Sequence, residues 1–245
     1  MANRFNDQVV VVTGGAEGIG QAIATYFKQE GARVCVLDHK IKPSCDVADP
    51  VQVQQAVAEI VAQHQRIDVL VANAGIQLLS SLEQTSAAAL QQLFATNVFG
   101  VFYSVQAVLP IMRQQRYGRI VLMSSEQGLI GRSLGAAYGM SKAALIQLAK
   151  CASTEMAAHN ILINALCPST VADTGLTRYA AEYFAKEWNL SIEATLKRFA
   201  QEQLTGKLIS LQEVTYWVSQ LCARENQSMT GAAVILDGGV SVTKL

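Results

Sequence analysis

A tyrosine and a lysine four residues apart are the most chemically suggestive pair in the chain. Tyr138 and Lys142 occur in AAYGMSKAAL, a helix-compatible segment, so their side chains should project from one helical face. Of the seven tyrosines, Tyr138 alone has a lysine at this offset. A phenol titrates at about 10, so it acts as an acid or base near neutral pH only where positive charge stabilises its anion. The pair therefore predicts acid–base chemistry at Tyr138, supported by Lys142.

Two other polar residues lie where they could join this chemistry. Ser125 directly follows the apolar run that ends in Met123-Ser124, a predicted strand end, and its hydroxyl could orient an alcohol or a carbonyl. Asn97 is a polar residue within the apolar, helix-like segment ATNVFGVFYS. Taken singly, Ser125 is also typical of a turn and Asn97 of a hydrogen-bonded helix residue.

A glycine-rich turn near the start of the chain predicts a nucleotide site. The run VVVV leads into TGGAEGIG at 13–20 and then into a helix, an order that lets a pyrophosphate lie against helix N–H groups. The next apolar run ends at Asp38, where a carboxylate accepts hydrogen bonds from an adenosine ribose. Asp38 and Glu17 would repel a ribose 2′-phosphate, which favours NAD over NADP. His39 and Lys40 could instead neutralise such a phosphate, or be solvated loop charges.

Short apolar runs alternate with longer segments of helical period along the chain. Continuous apolar character indicates strands covered on both faces, so we predict an α/β fold with a Rossmann-type, doubly wound parallel sheet and helices on each side. The predicted strands are Val9–Val12, Val34–Leu37, Val69–Ala72, Ile120–Met123, Ile161–Leu166 and Ala232–Leu236. The predicted helices are Gln21–Gln29, Val51–Gln65, Ala87–Gln114, Ala136–Ala158 and Leu211–Ala223.

No linker, charge block, repeat or low-complexity tract divides the 245 residues. We therefore predict a single dinucleotide-binding and catalytic domain over 1–245. The segment between Asp38 and Cys45 is too short for a crossover helix and should be a bare loop. From 169 to 206 the strand pattern gives way to helical stretches, which we interpret as a lid over the substrate.

Composition excludes several classes of function. The formal net charge is zero, so no global field favours nucleic acid or an anionic lipid surface, and a small-molecule substrate fits better. The apolar stretch 98–112 is interrupted by polar residues, and no segment reads as the roughly 20 apolar residues of a membrane span. With no signal-peptide pattern either, the chain is expected to be cytoplasmic.

Cysteines and histidines carry no evident site. Five cysteines is an odd count, and four of them have apolar neighbours, which predicts reduced core thiols at Cys35, Cys151, Cys167 and Cys222. The three histidines are isolated in sequence, so neither a metal site nor a Ser/His/Asp triad is predicted.

The ordered motifs resemble those of the classical short-chain dehydrogenases/reductases over essentially the whole chain. The resemblance is carried by TGGAEGIG, ANAG at 72–75, Asn97, the Ser124-Ser125 pair, YGMSK, CPST at 167–170 and TGAAVILDGG at 230–239. It implies that Tyr138 is the acid/base, that Lys142 lowers its pKa and holds the nicotinamide ribose, and that Ser125 steadies the substrate. It also implies a water-mediated proton relay through Asn97.

The resemblance further implies a set of cofactor contacts and an assembly. Besides Tyr138 and Lys142, the expected NAD-binding residues are Gly14, Glu17, Gly18, Ile19, Gly20, Asp38, Asp46, Val47, Asn73, Ala74, Gly75, Pro168 and Val171. Members of the family form homotetramers, often with a subunit contact near the DGG segment. Three departures stand out: ANAG replaces NNAG, Ser169 replaces a glycine, and the threonine expected near the nicotinamide amide falls at Asp173, one residue before Thr174.

The resemblance leaves the substrate open among a cyclic diol, a polyol and a sugar acid. Glu126, Gln127, Arg132 and the segment Thr174–Trp188 are expected to select it, and Arg132 or Arg178 could pair with a substrate carboxylate. Two other functions are compatible with the motifs. One is an NADPH-dependent 3-oxoacyl-thioester reductase, and the other is a non-catalytic NAD(H)-binding sensor.

Overall fold

Six parallel strands form one sheet in this computed structural model, which describes residues 3–243. The strand order is β2-β1-β3-β4-β5-β6, and every neighbouring pair is parallel. The strands are β1 (Val9–Thr13), β2 (Arg33–Leu37), β3 (Val69–Ala72), β4 (Gly118–Met123), β5 (Ile161–Pro168) and β6 (Ala233–Leu236). The order reverses between β1 and β3, which is where a doubly wound sheet opens a ligand crevice at the carboxyl ends of its strands.

Helices cover both faces of the sheet, so its central strands are buried on both sides. The helices are α1 (Gly18–Gln29), α2 (Pro50–His64), α3 (Ala87–Phe94), α4 (Gly100–Gln115), α5 (Ala136–Met156), α6 (Gly175–Trp188), α7 (Ile192–Gln201) and α8 (Leu211–Cys222). In β1, Val9 and Val11 belong to the core shared with α2, α4 and α5, whereas Val10 and Val12 belong to the core shared with α1 and α8. This alternation follows the two-residue period of a strand and confirms the predicted fold class.

The predicted elements differ from the structure mainly at their ends, with one exception. The helix predicted over 87–114 is divided by a π-helical turn, Ala95–Phe99, that separates α3 from α4. Single π-helical turns within α-helices are frequent at functional sites, and this one contains Asn97. Residues 39–49 hold neither helix nor strand, as predicted for the short crossover.

The helical run Ala87–Gln115 corrects one sequence prediction. By length and composition alone it could cross a membrane, with a mean hydropathy of 1.4, so the prediction that no segment could do so was too strict. The run is nevertheless part of the fold described here. Its inward face is buried in the core against β3 and β4 through Val101, Val105, Val108 and Met112. A core helix that covers a sheet can have the same length and apolar composition as a membrane span.

The cysteine prediction was wrong at one position. Cys167 and Cys222 are buried and Cys35 is half-buried, but Cys151 is exposed on α5. Cys45, which follows the short crossover, is buried instead. All five thiols are free, so packing and hydrogen bonding hold this part of the chain together without a disulfide.

Candidate active site

Three of the four predicted catalytic side chains, those of Ser125, Tyr138 and Lys142, meet in one cavity at the carboxyl end of the sheet. Ser125 follows β4, Pro168 ends β5, and Tyr138 and Lys142 project from the first turns of α5. All four residues line this cavity, which we call the catalytic cavity. The four-residue spacing on α5 therefore places the phenol and the ammonium on the side that faces the strand ends.

Lys142 is held against β4 and is almost completely buried. Its Nζ donates a hydrogen bond to the carbonyl oxygen of Met123 at 2.8 Å, and it lies 5.5 Å from the centroid of the Tyr138 ring. The Ser124 hydroxyl also donates to the Lys142 carbonyl at 2.8 Å. Burial lowers the pKa of Lys142 to about 8, because no carboxylate compensates the desolvated ammonium.

Tyr138 is held in the neutral form by the protein alone. Burial raises the pKa of the Tyr138 phenol well above its usual value, the Glu126 charge raises it further, and a hydrogen bond with Ser125 opposes the rise. The lowering of this pKa that the resemblance assigns to Lys142 stays a prediction.

Ser125 links Tyr138 to a buried carboxylate. Ser125 Oγ donates to Glu126 Oε2 at 2.6 Å and accepts from the backbone N–H of Gln127 at 3.2 Å. A hydroxyl has one proton, so a serine that donates to Glu126 can only accept from Tyr138.

Glu126 places a buried carboxyl group inside the catalytic cavity. It is 3% exposed and lies in the one-turn 3-10 helix Glu126–Gly128. Burial raises the pKa of its carboxyl, while Ser125 and Arg132 act against that rise. Arg132 contacts Glu126 Oε1 at 3.3 Å and also pairs with Glu202, which follows α7. Arg132 thus connects the cavity wall to the segment 169–206 and is already matched by two carboxylates.

Asn97 lies behind the cavity and braces it. Its Oδ1 accepts from the Ile76 N–H at 2.8 Å, and its Nδ2 donates to the Ile76 carbonyl at 2.9 Å and to Ser141 Oγ at 3.1 Å. A Cβ placed on Gly75 would lie 3.3 Å from Asn97 Oδ1 and 3.5 Å from Lys142 Nζ. Asn97 is therefore next to Lys142 but does not itself line the catalytic cavity.

A second cleft adjoins the catalytic cavity and runs over the glycine turn. Gly14 has φ +64°, and a Cβ there would lie 2.6 Å from Ala74 Cα, so only glycine fits. A Cβ on Gly20 would lie 2.1 Å from the Gly14 carbonyl oxygen, which shows how tightly α1 abuts the turn. Asn73 Nδ2 fixes the turn from the β3 side, donating to the Gly14 carbonyl at 2.9 Å. We call this the nucleotide cleft.

The far end of the nucleotide cleft carries an acidic side chain with a compensated cation beside it. Asp38 accepts hydrogen bonds from the backbone N–H groups of Ala16 at 3.0 Å and Lys40 at 2.8 Å. Lys40 Nζ lies 2.6 Å from Glu17 Oε1, while His39 Nδ1 is 3.8 Å from Asp38 Oδ1. The cation that could neutralise a phosphate is therefore already paired with Glu17.

Nearly all predicted cofactor residues line one of these two adjoining spaces. Those in the nucleotide cleft are Gly14, Glu17, Gly18, Ile19, Asp38, Asp46, Val47, Asn73, Ala74 and Gly75, and those in the catalytic cavity include Tyr138, Lys142, Pro168 and Val171. Gly20 contacts the turn from behind. Sequence reasoning missed Gln77, Gln92 and Thr96, which also line the nucleotide cleft, because no local pattern distinguishes them from ordinary surface residues.

The segment after β5 resolves two of the departures. Thr174 lines both spaces and is buried, while Asp173 has φ +57°, is exposed and lines neither of them. Thr174, one residue after the position expected for the threonine, is therefore the residue that reaches the site. Ser169 Oγ lines the catalytic cavity and is buried with no hydrogen-bond partner among residues 3–243. Arg178 pairs with Glu182 on the exposed face of α6, away from both spaces.

These residues fit a nicotinamide dinucleotide. The glycine turn supplies close backbone approach at the start of α1, Asp38 supplies a ribose acceptor, and the unpartnered Ser169 hydroxyl supplies a polar contact where the cleft meets the catalytic cavity. Polar groups suited to the cofactor thus extend from the far end of the nucleotide cleft to the catalytic cavity.

Comparison with known proteins identifies the family. The family model of the short chain dehydrogenases matches residues 8–183, well over half of the chain. The chain belongs to the short-chain dehydrogenase/reductase family. An uncharacterized oxidoreductase of Bacillus subtilis (strain 168), YxjF, is 34% identical over 253 residues, covering 95% of this chain and 97% of the relative. The chain is therefore an oxidoreductase of this family, whose members act on alcohol groups with a nicotinamide cofactor.

Solved structures of other short-chain dehydrogenases/reductases share the whole architecture. The ligand-free aldohexose dehydrogenase of Thermoplasma acidophilum is 34% identical with a TM-score of 0.92, covering 99% of this chain and 97% of the other. An NAD⁺-bound xylitol dehydrogenase is 27% identical with a TM-score of 0.89, covering 96% and 100%. ElxO with NADP bound is 28% identical with a TM-score of 0.85, covering 96% and 99%. Structural relatives thus include proteins with either cofactor.

Replacing Lys142 by methionine should stabilise the protein. The folded state must desolvate an ammonium whose pKa falls from 10.5 to about 8. Removing it should raise the free energy of unfolding by about 2 kcal/mol at neutral pH, after allowance for the lost bond to Met123. The penalty is complete below pH 8 and fades as the pH rises toward 10.5, so the difference between the variant and the wild type should shrink over that range.

Denaturant unfolding at several pH values measures this effect. Lys150→Met, at an exposed position on the same helix, is the matched control and should show no such pH-dependent gain. A Lys142→Met protein less stable than the wild type at neutral pH would show that the buried ammonium does not destabilise the fold.

Proposed function

We propose that the protein is an NAD-dependent dehydrogenase that moves hydride between NAD(H) and a CH–OH carbon of a small neutral compound with several hydroxyl groups, such as a cyclic diol or a polyol. The observation that carries the proposal is the convergence of Ser125, Tyr138 and Lys142 in a cavity continuous with a glycine-lined cleft that ends at Asp38. A binding protein that only senses nucleotide needs no buried phenol beside an ammonium.

Each catalytic side chain has a role that its contacts support. Tyr138 Oη would take the proton of the substrate hydroxyl during oxidation and return it during reduction. Ser125 Oγ, already within hydrogen-bonding range of that phenol, would hold the substrate oxygen. Lys142, beside the phenol and fixed to Met123, would hold the nicotinamide ribose, and Asn97 would position Lys142 and a water-mediated relay. The cofactor supplies the hydride acceptor or donor.

Replacing Tyr138 by phenylalanine should remove turnover but not cofactor binding. Loss of a positioned acid/base reduces kcat by about 10²–10⁴-fold, while the nucleotide cleft is untouched. Steady-state rates with NAD and a polyol, together with NADH titration by fluorescence, separate the two effects. Tyr216→Phe, on the exposed side of α8, is the control. Unchanged turnover in Tyr138→Phe would contradict the assignment.

The choice of NAD over NADP rests on the charges around the adenosine ribose. Asp38 is 6% exposed and would lie against a 2′-phosphate. Lys40, a lysine that could offset this repulsion, has its Nζ 2.6 Å from Glu17 Oε1. A 2′-phosphate would therefore meet two carboxylates and one compensated ammonium, which favours a free 2′-hydroxyl. The same charges disfavour the NADPH-dependent thioester reductase.

Glu17→Gln should weaken the discrimination between the cofactors. Removing one carboxylate and releasing Lys40 should raise the ratio of kcat/KM with NADP to that with NAD by about tenfold. Glu83→Gln removes the same charge from an exposed site outside the cleft and should leave the ratio unchanged. A wild-type preference for NADP would overturn the cofactor assignment.

The substrate class rests on Glu126. A buried carboxylate in the catalytic cavity accepts hydrogen bonds, so it favours a second hydroxyl near the reacting carbon and disfavours a substrate carboxylate. Arg132 is paired with two glutamates and Arg178 with Glu182, so neither provides an open carboxylate site. A neutral polyol or cyclic diol is therefore preferred over a sugar acid.

Glu126→Gln should shift selectivity between substrates. A charged acceptor is replaced by a neutral amide, so kcat/KM for a vicinal diol should fall about tenfold relative to a monohydroxy alcohol of the same ring size. The ratio of the two kcat/KM values is used because a disturbed Ser125 would lower both values equally. Glu182→Gln, on the exposed face of α6, is the control. A sugar acid used better than its neutral polyol would contradict the proposal.

We also propose a cytoplasmic homotetramer whose segment 169–206 acts as a lid over the substrate. Exposed aromatic side chains on and before α4, Phe99 and Phe102, and exposed apolar residues near the sheet edge, Trp217 and Ile235, offer two separate surfaces for subunit contacts. Free thiols at all five cysteines suit a reducing compartment. Sedimentation velocity tests the assembly. A tetramer is expected, and a monomer at micromolar concentration would contradict the proposal.

A further inference from the structure

A group of arginines surrounds a cavity at the end of the sheet opposite the catalytic cavity. The lining residues are Arg66, Tyr117, Arg119, Asn160, Arg224 and Gln227. They lie just before β3, at the start of β4, just before β5 and after α8. β4 has six residues, which separates its two ends by about 20 Å, so this cavity is distinct from the active site. We call it the arginine cavity.

Arg119 gives the cavity a buried positive charge without a counter-ion. The residue is 2% exposed, and its guanidinium donates to the carbonyl oxygens of Gly118, Asn160 and Asn226 at 2.9–3.0 Å. Its Cζ lies 4.5 Å from the centroid of the Tyr117 ring. No carboxylate of residues 3–243 lies within ion-pair distance of it. Burial accordingly lowers the pKa of Arg119.

Two polar atoms in the same cavity wall lack partners. Arg119 Nε and the Tyr117 hydroxyl are buried, and neither has a hydrogen bond within residues 3–243. Buried donors in native structures are normally satisfied, so a donor without a partner in the protein is suited to a bound ion or water. Both atoms belong to residues that line the arginine cavity, so two donors without partners lie within its wall.

The other arginines add charge of the same sign. Arg66 is fixed by Asp68, with Nη2 2.6 Å from Oδ1, and the carboxylate is completely buried behind it. Arg224 is exposed and has no ion pair in the part of the chain that the structure describes. No acidic residue of the described chain, 3–243, lines the cavity. Three arginines, of which Arg66 is paired with Asp68, and three neutral residues with hydrogen-bond donors therefore line one space.

We propose that the arginine cavity binds an anion with phosphate-type oxygens, at a site separate from the dinucleotide. Planar guanidinium groups match such oxygens in pairs, and charge-assisted hydrogen bonds are the strongest class available. The bound anion supplies the counter-charge that Arg119 lacks and joins the amino ends of β3, β4 and β5 to the segment after α8. The proposal is independent of the substrate and cofactor assigned above.

Isothermal titration calorimetry with inorganic phosphate tests the proposal on the full chain. Saturable binding of one phosphate per chain is expected, both with and without NADH, because the two sites lie at opposite ends of the sheet. A parallel titration with methyl phosphate distinguishes a site for phosphate monoesters from one for the free ion. Absence of saturable binding of either anion would overturn the proposal.

Two substitutions locate the site. Arg224→Gln should weaken phosphate binding at least about tenfold, because it removes a charged donor from the cavity, without changing NADH affinity. Arg113→Gln removes the same charge from an exposed position of α4 outside the cavity and should leave phosphate affinity unchanged. Equal weakening by both substitutions would indicate nonspecific attraction and overturn the proposal.

Discussion

The geometry of the active site depends on an ammonium buried beside a phenol, with no carboxylate of residues 3–243 in an ion pair with that ammonium. Lys142 is 5% exposed and is secured by the Met123 carbonyl, while Tyr138 is 8% exposed and keeps its proton because burial and Glu126 oppose the phenolate. Each arrangement alone is unfavourable. Together they form a site in which an additional positive charge in the adjoining cleft would favour the phenolate. Burial and Glu126 thus both favour the neutral phenol of Tyr138.

The surrounding fold keeps these two groups in register. β4 ends at the carbonyl that holds Lys142 and continues directly into Ser125 and Glu126. The π-helical turn places Asn97 beside Gly75 and Ile76, so the chain after β3 is tied to the helix that precedes α4. The parallel sheet brings these segments to one edge because its strands share a direction. Regular elements therefore determine the geometry of the site, and residues of the segment 169–206, such as Thr174 and Thr177, line part of the catalytic cavity.

Local sequence patterns predicted the architecture and most of the site. Continuous valine-rich runs imply strands buried on both faces, and the Tyr138–Lys142 spacing implies a shared helical face; both follow from short-range geometry. The π-helical turn was not predictable, because no residue in 95–99 differs from those of an ordinary helix. The low side-chain exposure of Glu126 and its bridge through Arg132 to Glu202 were equally hidden, since Arg132 and Glu202 are 70 residues apart in sequence.

Tertiary structure also changes how two residues, Lys40 and Cys151, are interpreted. Lys40 could have neutralised a phosphate, yet it contacts Glu17, 23 residues earlier. Cys151 has apolar neighbours in sequence but is on the outward side of α5. Sequence identifies which groups are available, whereas tertiary contacts decide which of them remain open to a ligand.

Ultraviolet difference titration of the tyrosines tests the central claim most directly. We predict that, with NAD⁺ bound, one phenol ionises below the ordinary value of about 10, and that this signal is absent from Tyr138→Phe. Without the nucleotide the same phenol should ionise above that value. An identical tyrosine titration with and without NAD⁺, or a low-pH ionisation that persists in Tyr138→Phe, would contradict the account.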